Sequence, residues 1–257
     1  MDIADLFSGL GATALAFGGI HGGTIAHPCV LCDSCSFSRA LLAERAGQGY
    51  FAPRSSDIRI ADDARVLLRC PGDGDVQIVT GGFPCQDLSS LGKREGLSGV
   101  RSGLFYEIPR IADDFKADWV FLENVPDQCA CRLDLVVDAL HDIGFDCRWR
   151  CLSAAELGAP HERNRFFLLA RRRDGVGSAC VKLESVAEVM QVARRWGWFA
   201  EKSFPARARS RLLTAPECPG HKARNFAIGN ALAPFQARAA FMYLVPGGWC
   251  ARTSASI

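Results

Sequence analysis

Apolar segments of two kinds alternate along the first 170 residues of this chain. Residues 76–80 and 119–122 are nearly continuous apolar runs, typical of strands buried on both faces of a sheet. Residues 104–115 and 133–143 instead repeat apolar side chains at the spacing of an amphipathic helix. The predicted strands are residues 3–7, part of 24–31, 76–80, 119–122, 147–152 and 166–170, and the predicted helices are residues 12–17, a segment through 39–44, 104–115 and 133–143. This alternation predicts an α/β fold with a doubly wound, mostly parallel sheet.

The character of the sequence changes after Ala170. Residues 171–211 contain ten Lys and Arg against four Asp and Glu, although the net charge of the whole chain is only +2. A basic segment on a mildly acidic body indicates either a surface that grips a polyanion or a solvated basic face. Residues 223–244 are apolar again and predict a helix. We therefore expect a first domain over residues 1–170, a small basic region over 171–222, and a C-terminal segment over 223–257 that returns to the first domain.

The composition narrows the class of protein. The chain has 257 residues, of which 49% are hydrophobic and 23% charged, as in ordinary globular proteins. We find no apolar run long enough to span a membrane, and the acidic start at residues 1–5 is unlike a secretory signal. Twelve cysteines in such a chain indicate free thiols in a reducing compartment. We expect a cytoplasmic protein without membrane association.

Four of the candidate metal ligands lie close together in the sequence: His27, Cys29, Cys32 and Cys35. Their spacing would suit zinc, but a closed zinc site usually draws its ligands from two separated pairs. We favour separate thiols and predict no metal.

The most informative segment is Phe83-Pro84-Cys85-Gln86, which follows the predicted strand 76–80 and a pair of glycines. Cys85 is therefore expected in a loop at the carboxyl end of a strand, where open α/β sheets bind ligands. A cysteine in this place is a candidate nucleophile. Taken alone, Cys85 is better interpreted as a small buried hydrophobic residue, the usual place of a free cysteine, and only the other motifs reverse this preference.

A second glycine-containing loop, Phe7-Ser8-Gly9-Leu10-Gly11, joins the first predicted strand to the first helix. It lacks the third glycine of a dinucleotide fingerprint and the lysine of a phosphate-binding loop, so it indicates an adenosine-type cofactor without a pyrophosphate. Such a cofactor needs an acid near the end of the second strand for its ribose hydroxyls, and Asp33 is the best candidate. Asp57, expected at the end of the third strand, is a candidate acceptor for an adenine amino group. Either aspartate is alternatively a solvated turn residue.

Three charged residues complete the candidate chemistry. Glu123 ends the predicted strand 119–122 and is expected at the same sheet edge as Cys85. A carboxyl there can be held protonated by desolvation and then donate to a substrate. Arg163 and Arg165 are two residues apart, so on a strand they share a face and can reach one anionic or carbonyl group. Two surface arginines would be the alternative.

In their order along the chain, these segments resemble the motifs of the DNA cytosine-5 methyltransferase family. The resemblance rests on the segments 5–11 (DLFSGLG), 82–86 (GFPCQ), 101–105 (RSGLF), 123–125 (ENV), 163–165 (RNR) and 229–231 (GNA). Six matches in the family's order are hard to reach by chance. The resemblance implies the fold of S-adenosylmethionine-dependent methyltransferases, with a target-recognition region over residues 171–222.

The resemblance also implies a reaction and its residues. A cytosine is flipped out of the duplex, the Cys85 thiolate adds to its carbon 6, and carbon 5 takes the methyl group of S-adenosylmethionine. Glu123 would hold the exocyclic amine and ring nitrogen 3, while Arg163 and Arg165 would fix the base carbonyl and a nearby phosphate. The cofactor residues implied are Phe7, Gly9, Leu10, Gly11, Asp33, Asp57, Pro84, Leu104, Asn230 and Ala231.

The recognition region is short for this family, so we expect a short or relaxed target sequence. The expected partner is double-stranded DNA, bound by a monomer associated with the nucleoid of a bacterial or phage-infected cell. A cognate restriction enzyme or a separate specificity subunit is compatible with the sequence. Two alternatives stay open: methylation of an RNA such as transfer RNA, and a non-catalytic nucleic-acid-binding relative.

Overall fold

A computed structural model of the protein describes residues 1–18, 25–51, 58–70, 76–83, 104–126, 133–159, 162–174, 191 and 234–245. The strands are β1 (Asp2–Leu6), β2 (His27–Cys32), β3 (Arg59–Ala61), β4 (Val76–Gly81), β5 (Trp119–Asn124), β6 (Phe145–Ser153) and β7 (Asn164–Arg172). The helices are α1 (Ala12–Gly18), α2 (Ser36–Gly47), α3 (Leu104–Asp114), α4 (Leu133–Asp142) and α5 (Pro234–Leu244), with 3-10 turns at Ala64–Val66 and Ala155–Leu157.

The described strands form one sheet in the order β3-β2-β1-β4-β5-β7-β6. The first five strands in this order are parallel to one another, and β7 runs antiparallel to both β5 and β6. This confirms the predicted α/β fold with a mostly parallel, doubly wound sheet. The chain reverses its direction of travel across the sheet between β1 and β4, and ligands of such sheets bind beyond the carboxyl ends of the strands at this point.

Helices cover both faces of the sheet, which is why its central strands are predominantly apolar. On one face, Phe17 of α1 packs against Phe121 of β5 and Phe241 of α5, with ring centroids 5.5 and 4.8 Å apart. On the other face, Ile108 of α3 belongs to the same buried cluster as Val79 of β4. The core therefore lies in two layers, and polar groups accumulate at the strand ends.

The C-terminal helix returns to the body of the fold. α5 packs against α1, β6 and β7. The predicted division of the chain at residues 170 and 222 stays a prediction, since residues 175–233 apart from Gln191 lie outside the described ranges. Among the helices that are described, none is long and apolar enough to cross a membrane.

Candidate active site

Four neighbouring strands deliver the predicted site residues to one edge of the sheet. The loop 7–11 leaves β1, Asp33 follows β2, Gly82 and Phe83 follow β4, and Glu123 lies at the end of β5. Because these strands are parallel, their carboxyl ends meet on the same side. The topology therefore brings the described candidates to one edge of the sheet, while the predicted place of Cys85 at that edge stays a prediction.

The glycine-containing loop turns sharply through positive backbone angles. Phe7, Gly9 and Gly11 have φ of 56°, 54° and 73°. β1 therefore ends at Leu6, one residue before the predicted end. A non-glycine residue with a positive φ, such as Phe7, carries about 1–3 kcal/mol of backbone strain. An added Cβ on Gly11 would stand 2.8 Å from Leu42 Cδ2, whereas one on Gly9 would meet nothing within 4 Å. Gly11 lets the loop pack on α2, and Gly9 leaves its own side open.

Two side chains fasten this loop to the rest of the fold. Ser8 Oγ donates to the Asp5 carbonyl at 2.6 Å, and the Ser8 and Cys32 backbones are joined by a 2.9 Å hydrogen bond. Arg45 of α2 donates from Nη1 to the carbonyl of Leu10. The loop is thus held by contacts to β2 and α2 together with its own hydrogen bond from the Gly11 N–H to the Ser8 carbonyl, 2.7 Å long.

Asp33 lies directly beside the loop. Its Oδ2 accepts the Gly9 backbone N–H at 2.7 Å, and its Oδ1 accepts the Cys35 N–H at 2.8 Å. The side chain is only partly buried. Since a carboxylate has about four lone-pair sites, both oxygens retain capacity for further donors such as ribose hydroxyls.

Glu123 and Arg165 form an ion pair at the other end of this edge. Arg165 Nε lies 2.8 Å from Glu123 Oε1, and the two side chains are only 15% and 16% exposed. Burial raises the pKa of Glu123 above its ordinary value, while Arg165 and Arg163 oppose that rise. The protonation of the Glu123 carboxyl is therefore set by the balance between burial and the charges of the two arginines.

Arg163 precedes β7 and is half-buried on the same side as Arg165. Burial lowers the pKa of its guanidinium, as does the charge of Arg165, and Glu123 raises it. The structure therefore brings Glu123, Arg163 and Arg165 into one electrostatic group, as expected from the spacing of the two arginines.

Two neighbours of Glu123 connect it to the strand that precedes Cys85. A Cβ added to Gly82 would stand 3.2 Å from Glu123 Oε2, so only glycine leaves the carboxyl its present place. The buried Asn124 donates from Nδ2 to the Phe83 carbonyl at 3.2 Å, and its Oδ1 accepts the Val125 N–H at 2.8 Å. The end of β5 is thereby tied to the residue immediately before Pro84.

Leu104, predicted to touch the cofactor, is the first residue of α3 and is partly buried. The ring of the next residue, Phe105, lies 5.2 Å from that of Phe83. The start of α3 therefore lies near the end of β4, at the edge occupied by the other candidates.

Several predicted residues fall outside the described ranges: Cys85, Pro84, Asp57, Asn230 and Ala231. The predicted position of Asp57 at the end of the third strand is nevertheless wrong, because β3 begins only at Arg59. A three-residue, half-buried strand leaves little periodic signal. The acids that follow β3 are Asp62, which is exposed, and Asp63, whose Oδ1 accepts the Arg65 N–H at 2.9 Å.

A further carboxyl, absent from the predicted site, lies buried behind the loop. Asp5 Oδ1 accepts from Thr80 Oγ1 at 2.5 Å, linking β1 to β4, and its Oδ2 has no hydrogen-bond partner among the described residues. Burial raises the pKa of Asp5 to about 7. An aspartate placed among the apolar residues Ile3, Ala4 and Leu6 was the sequence signal that would have identified Asp5 as a buried carboxyl.

The cysteine cluster near β2 shows no metal-site geometry. Cys32 is buried in the sheet's core, burial raising its pKa to about 12, and Cys29 Sγ donates to the Ile3 carbonyl. Within the described ranges, no three His, Cys, Asp or Glu side chains are grouped so that they could hold a metal ion.

Comparison with known proteins extends the motif resemblance. The family model for C-5 cytosine-specific DNA methylase matches residues 1–188. The type II methyltransferase M.CviJI of Paramecium bursaria Chlorella virus IL3A is 35% identical over 128 residues, covering 49% of this chain and 35% of the relative. The type II methyltransferase M2.BsuMI of Bacillus subtilis (strain 168) is 29% identical over 180 residues, covering 66% of this chain and 42% of the relative. The chain thus spans less than half the length of each of these two relatives.

Solved structures share the fold. The S. pombe Dnmt2 methyltransferase superimposes with a TM-score of 0.57 at 14% identity, covering 95% of this chain and 98% of that one. A mutant of DNMT2 from Spodoptera frugiperda gives a TM-score of 0.52 at 19% identity, and the match covers 68% of this chain and 51% of that one. The family model spans well over half the residues, and the motif resemblance is confirmed: the chain belongs to the C-5 cytosine-specific DNA methylase family.

Proposed function

We propose that this protein is a DNA cytosine-5 methyltransferase that methylates carbon 5 of a flipped-out cytosine. The observation that carries the proposal is the largely enclosed ion pair of Glu123 and Arg165, which are 2.8 Å apart. Asn124 links it to Phe83, the residue before Pro84-Cys85. A protonatable acid, an arginine and a cysteine at one sheet edge are the groups that addition to a cytosine ring requires.

The cofactor proposed is S-adenosylmethionine, and the loop residues fit it. Gly9 leaves open space beside a positive-φ turn, and the half-exposed Asp33 carboxylate next to it has spare acceptor capacity. Phe7, Leu10 and Leu104 would supply apolar contacts, and Pro84, Asn230 and Ala231 are proposed as further contacts. When bound, S-adenosylmethionine supplies the methyl group to carbon 5.

The chain's own residues would prepare the ring and restore it. Cys85, as thiolate, forms a bond to carbon 6, and the electron pair displaced from the 5,6 double bond moves toward carbon 5 and nitrogen 3. Glu123 shares a proton with nitrogen 3 and accepts from the exocyclic amine, which spreads this charge. Arg165 and Arg163 hold the carbonyl oxygen. After methylation, loss of the carbon 5 proton re-forms the double bond and expels the thiolate.

The raised pKa of Glu123 suits this assignment. Burial raises the pKa of Glu123 above its ordinary value, which favours the protonated form that can share a proton with the base. The two arginines oppose that rise and so favour release of the proton.

We further propose double-stranded DNA as the substrate and a short or relaxed target sequence, on the ground that residues 171–222 leave few side chains for reading bases. The monomeric state, the cytoplasmic, nucleoid-associated location, and a cognate restriction enzyme or specificity subunit remain predictions from the sequence.

The test is covalent trapping. The protein and S-adenosylmethionine are incubated with duplexes containing 5-fluorocytosine, whose fluorine cannot leave as a proton does, so that the cysteine remains bonded to the base. We expect a denaturant-stable protein–DNA adduct that is absent in Cys85→Ala and present in Cys70→Ala, which removes an exposed cysteine instead.

The outcomes separate the alternatives. An adduct with transfer RNA and none with varied duplexes would move the substrate to RNA. A protein that binds the cofactor but forms no adduct with either polymer would argue for a missing specificity partner. A protein that does not bind the cofactor would support the non-catalytic alternative and overturn the proposal.

A further inference from the structure

Gln236 is a buried polar residue of α5 that reaches the hairpin carrying the two arginines. Its side chain is 1% exposed. Its Nε2 donates to the Leu152 carbonyl at 2.7 Å and to the Arg163 carbonyl at 2.6 Å. One amide therefore bridges the end of β6 and Arg163, the residue just before β7. Arg163 and Gln236 are 73 positions apart in the sequence.

The two acceptors lie at a sensitive point of the hairpin. Leu152 lies opposite Arg165 in the antiparallel β6–β7 pair, and Arg163 precedes Arg165 by two residues. The Arg163 carbonyl also accepts the Ala154 N–H at a long 3.3 Å. At the start of β7, the amide of Gln236 thus adds two hydrogen bonds to those of the β6–β7 ladder and to the long one from Ala154.

The other atom of the amide indicates why glutamine stands here. Gln236 Oε1 is buried and has no hydrogen-bond partner among the described residues. An unsatisfied buried oxygen is costly, and an apolar side chain of the same size would avoid it. The two donated hydrogen bonds are the contacts of this amide that an apolar side chain could not replace.

We propose that Gln236 is a positioning residue for the site: it holds the segment 163–165 so that the Arg165 guanidinium stays on the Glu123 carboxylate. This inference rests on the proposed function for its catalytic meaning, although the positioning itself concerns only the ion pair. Gln236 does not touch the reacting atoms and acts through the backbone of the hairpin.

The consequence is a coupling between α5 and the protonation of Glu123. The charged groups that face Glu123 among the described residues are Arg165 and Arg163. If the hairpin loosens, the 2.8 Å contact lengthens and its stabilisation of the ionised carboxyl weakens. The pKa of Glu123 then rises, and its deprotonation moves to higher pH.

The test replaces the amide by an isosteric group without donors, Gln236→Met. The pKa of Glu123 is followed by carbon-13 NMR of labelled glutamate carboxyls, assigned through Glu123→Gln, and single-turnover methyl transfer is followed as a function of pH. We expect the Glu123 titration and the corresponding limb of the rate profile to move together to higher pH. The maximal rate of that profile should fall about tenfold, because Arg165 is no longer fixed in its place beside the base, with an unchanged dissociation constant for S-adenosylmethionine.

The matched control is Arg238→Met, on the same helix. Arg238 is similarly buried, at 3% exposed, and its Nη1 donates at 2.9 Å to the Ala16 carbonyl of α1. This variant should lower the melting temperature without moving the Glu123 titration. Gln236→Glu keeps the shape and, when protonated, one donor, and should give an intermediate shift.

A titration of Glu123 that is the same in Gln236→Met as in the wild type would overturn the inference, even if the variant melts earlier. Failure of both Gln236 variants to fold would do so as well, because the residue would then serve the whole fold. A wild type that methylates nothing refutes the proposed function alone, since the NMR comparison needs no substrate.

Discussion

Two acids stand at the same edge of the sheet in contrasting surroundings. Asp33 is partly exposed, and both of its oxygens accept backbone N–H groups, from Gly9 and Cys35. Glu123, 16% exposed, meets the charged side chain of Arg165 instead, with burial raising its pKa and two arginines opposing the rise. Backbone donors orient the Asp33 carboxyl as an acceptor, whereas the balance of burial and arginines at Glu123 favours proton exchange. The difference matches the two proposed tasks of cofactor binding and proton sharing.

The position of each acid in the sheet explains the contrast. Asp33 follows β2, which has only the short β3 beyond it toward the sheet edge. Glu123 lies on β5, between β4 and the nine-residue β7, so that neighbouring strands cover it on both sides. Burial at the middle of the sheet, rather than residue type, makes Glu123 the candidate acid.

Replacing Glu123 should have the largest effect on the proposed reaction. Gln keeps the shape of the side chain but cannot release a proton, so we expect Glu123→Gln to slow single-turnover methyl transfer by about 10²–10⁴-fold. S-adenosylmethionine affinity, measured by calorimetry, should stay unchanged, because the cofactor loop lies two strands away. Asp118→Asn is the control, since burial also raises the pKa of that acid, at the opposite end of the same strand. A fully active Glu123→Gln would break the comparison.

A smaller displacement of the same carboxyl should follow from Gly82→Ala. The new Cβ would stand 3.2 Å from Glu123 Oε2, so the carboxyl must shift by a few tenths of an ångström. We expect the methyl-transfer rate to fall about 10- to 100-fold, with little change in the free energy of unfolding. Gly47→Ala, whose Cβ would meet nothing within 4 Å, should keep the wild-type rate. Equal rates in both variants would show that the position of Glu123 is not critical.

Changes at Asp33 should act on cofactor binding rather than on chemistry. Asp33→Ala removes the acceptor of the Gly9 N–H together with the acceptor proposed for the ribose hydroxyls. Loss of one charged hydrogen bond to the cofactor corresponds to roughly tenfold weaker binding of S-adenosylmethionine. At saturating cofactor, the rate should return to the wild-type value. Asp114→Ala serves as control, because Asp114 also accepts a backbone N–H, from Arg69, but outside the cofactor loop. A rate that stays low at saturation would mean that the two acids do not divide the tasks.

The sequence allowed prediction of the fold and of the edge at which these groups meet, because apolar runs followed by glycine or acidic residues mark strand ends. It did not reveal the links between distant segments. Asn124 to Phe83 and Gln236 to Arg163 are hydrogen bonds whose partners are set by strand register and helix placement, which leave no local pattern. The position of the third strand was also predicted wrongly, because β3 has only three half-buried residues and leaves too short a pattern in the sequence.

Asp5 offers the smallest and sharpest test, because it shows what burial does without arginines. Its carboxyl is fully buried, its stabilising partners are hydroxyl and backbone groups, and burial raises its pKa from 3.8 to about 7. Between these values the folded state binds more protons than the unfolded state. The stability contributed by neutral Asp5 is therefore complete below pH 3.8 and is lost as pH rises through about 7.

Asp5→Asn cannot ionise, so this loss should be absent from the variant. We expect the free energy of unfolding of the wild type, measured relative to Asp5→Asn by urea titration, to fall by about 1 kcal/mol between pH 6 and pH 8. Using the difference cancels the other titrating groups. A difference that stays constant over this range would mean that water or backbone donors stabilise the Asp5 anion, and burial alone would then be an insufficient explanation for the raised pKa of Glu123 as well.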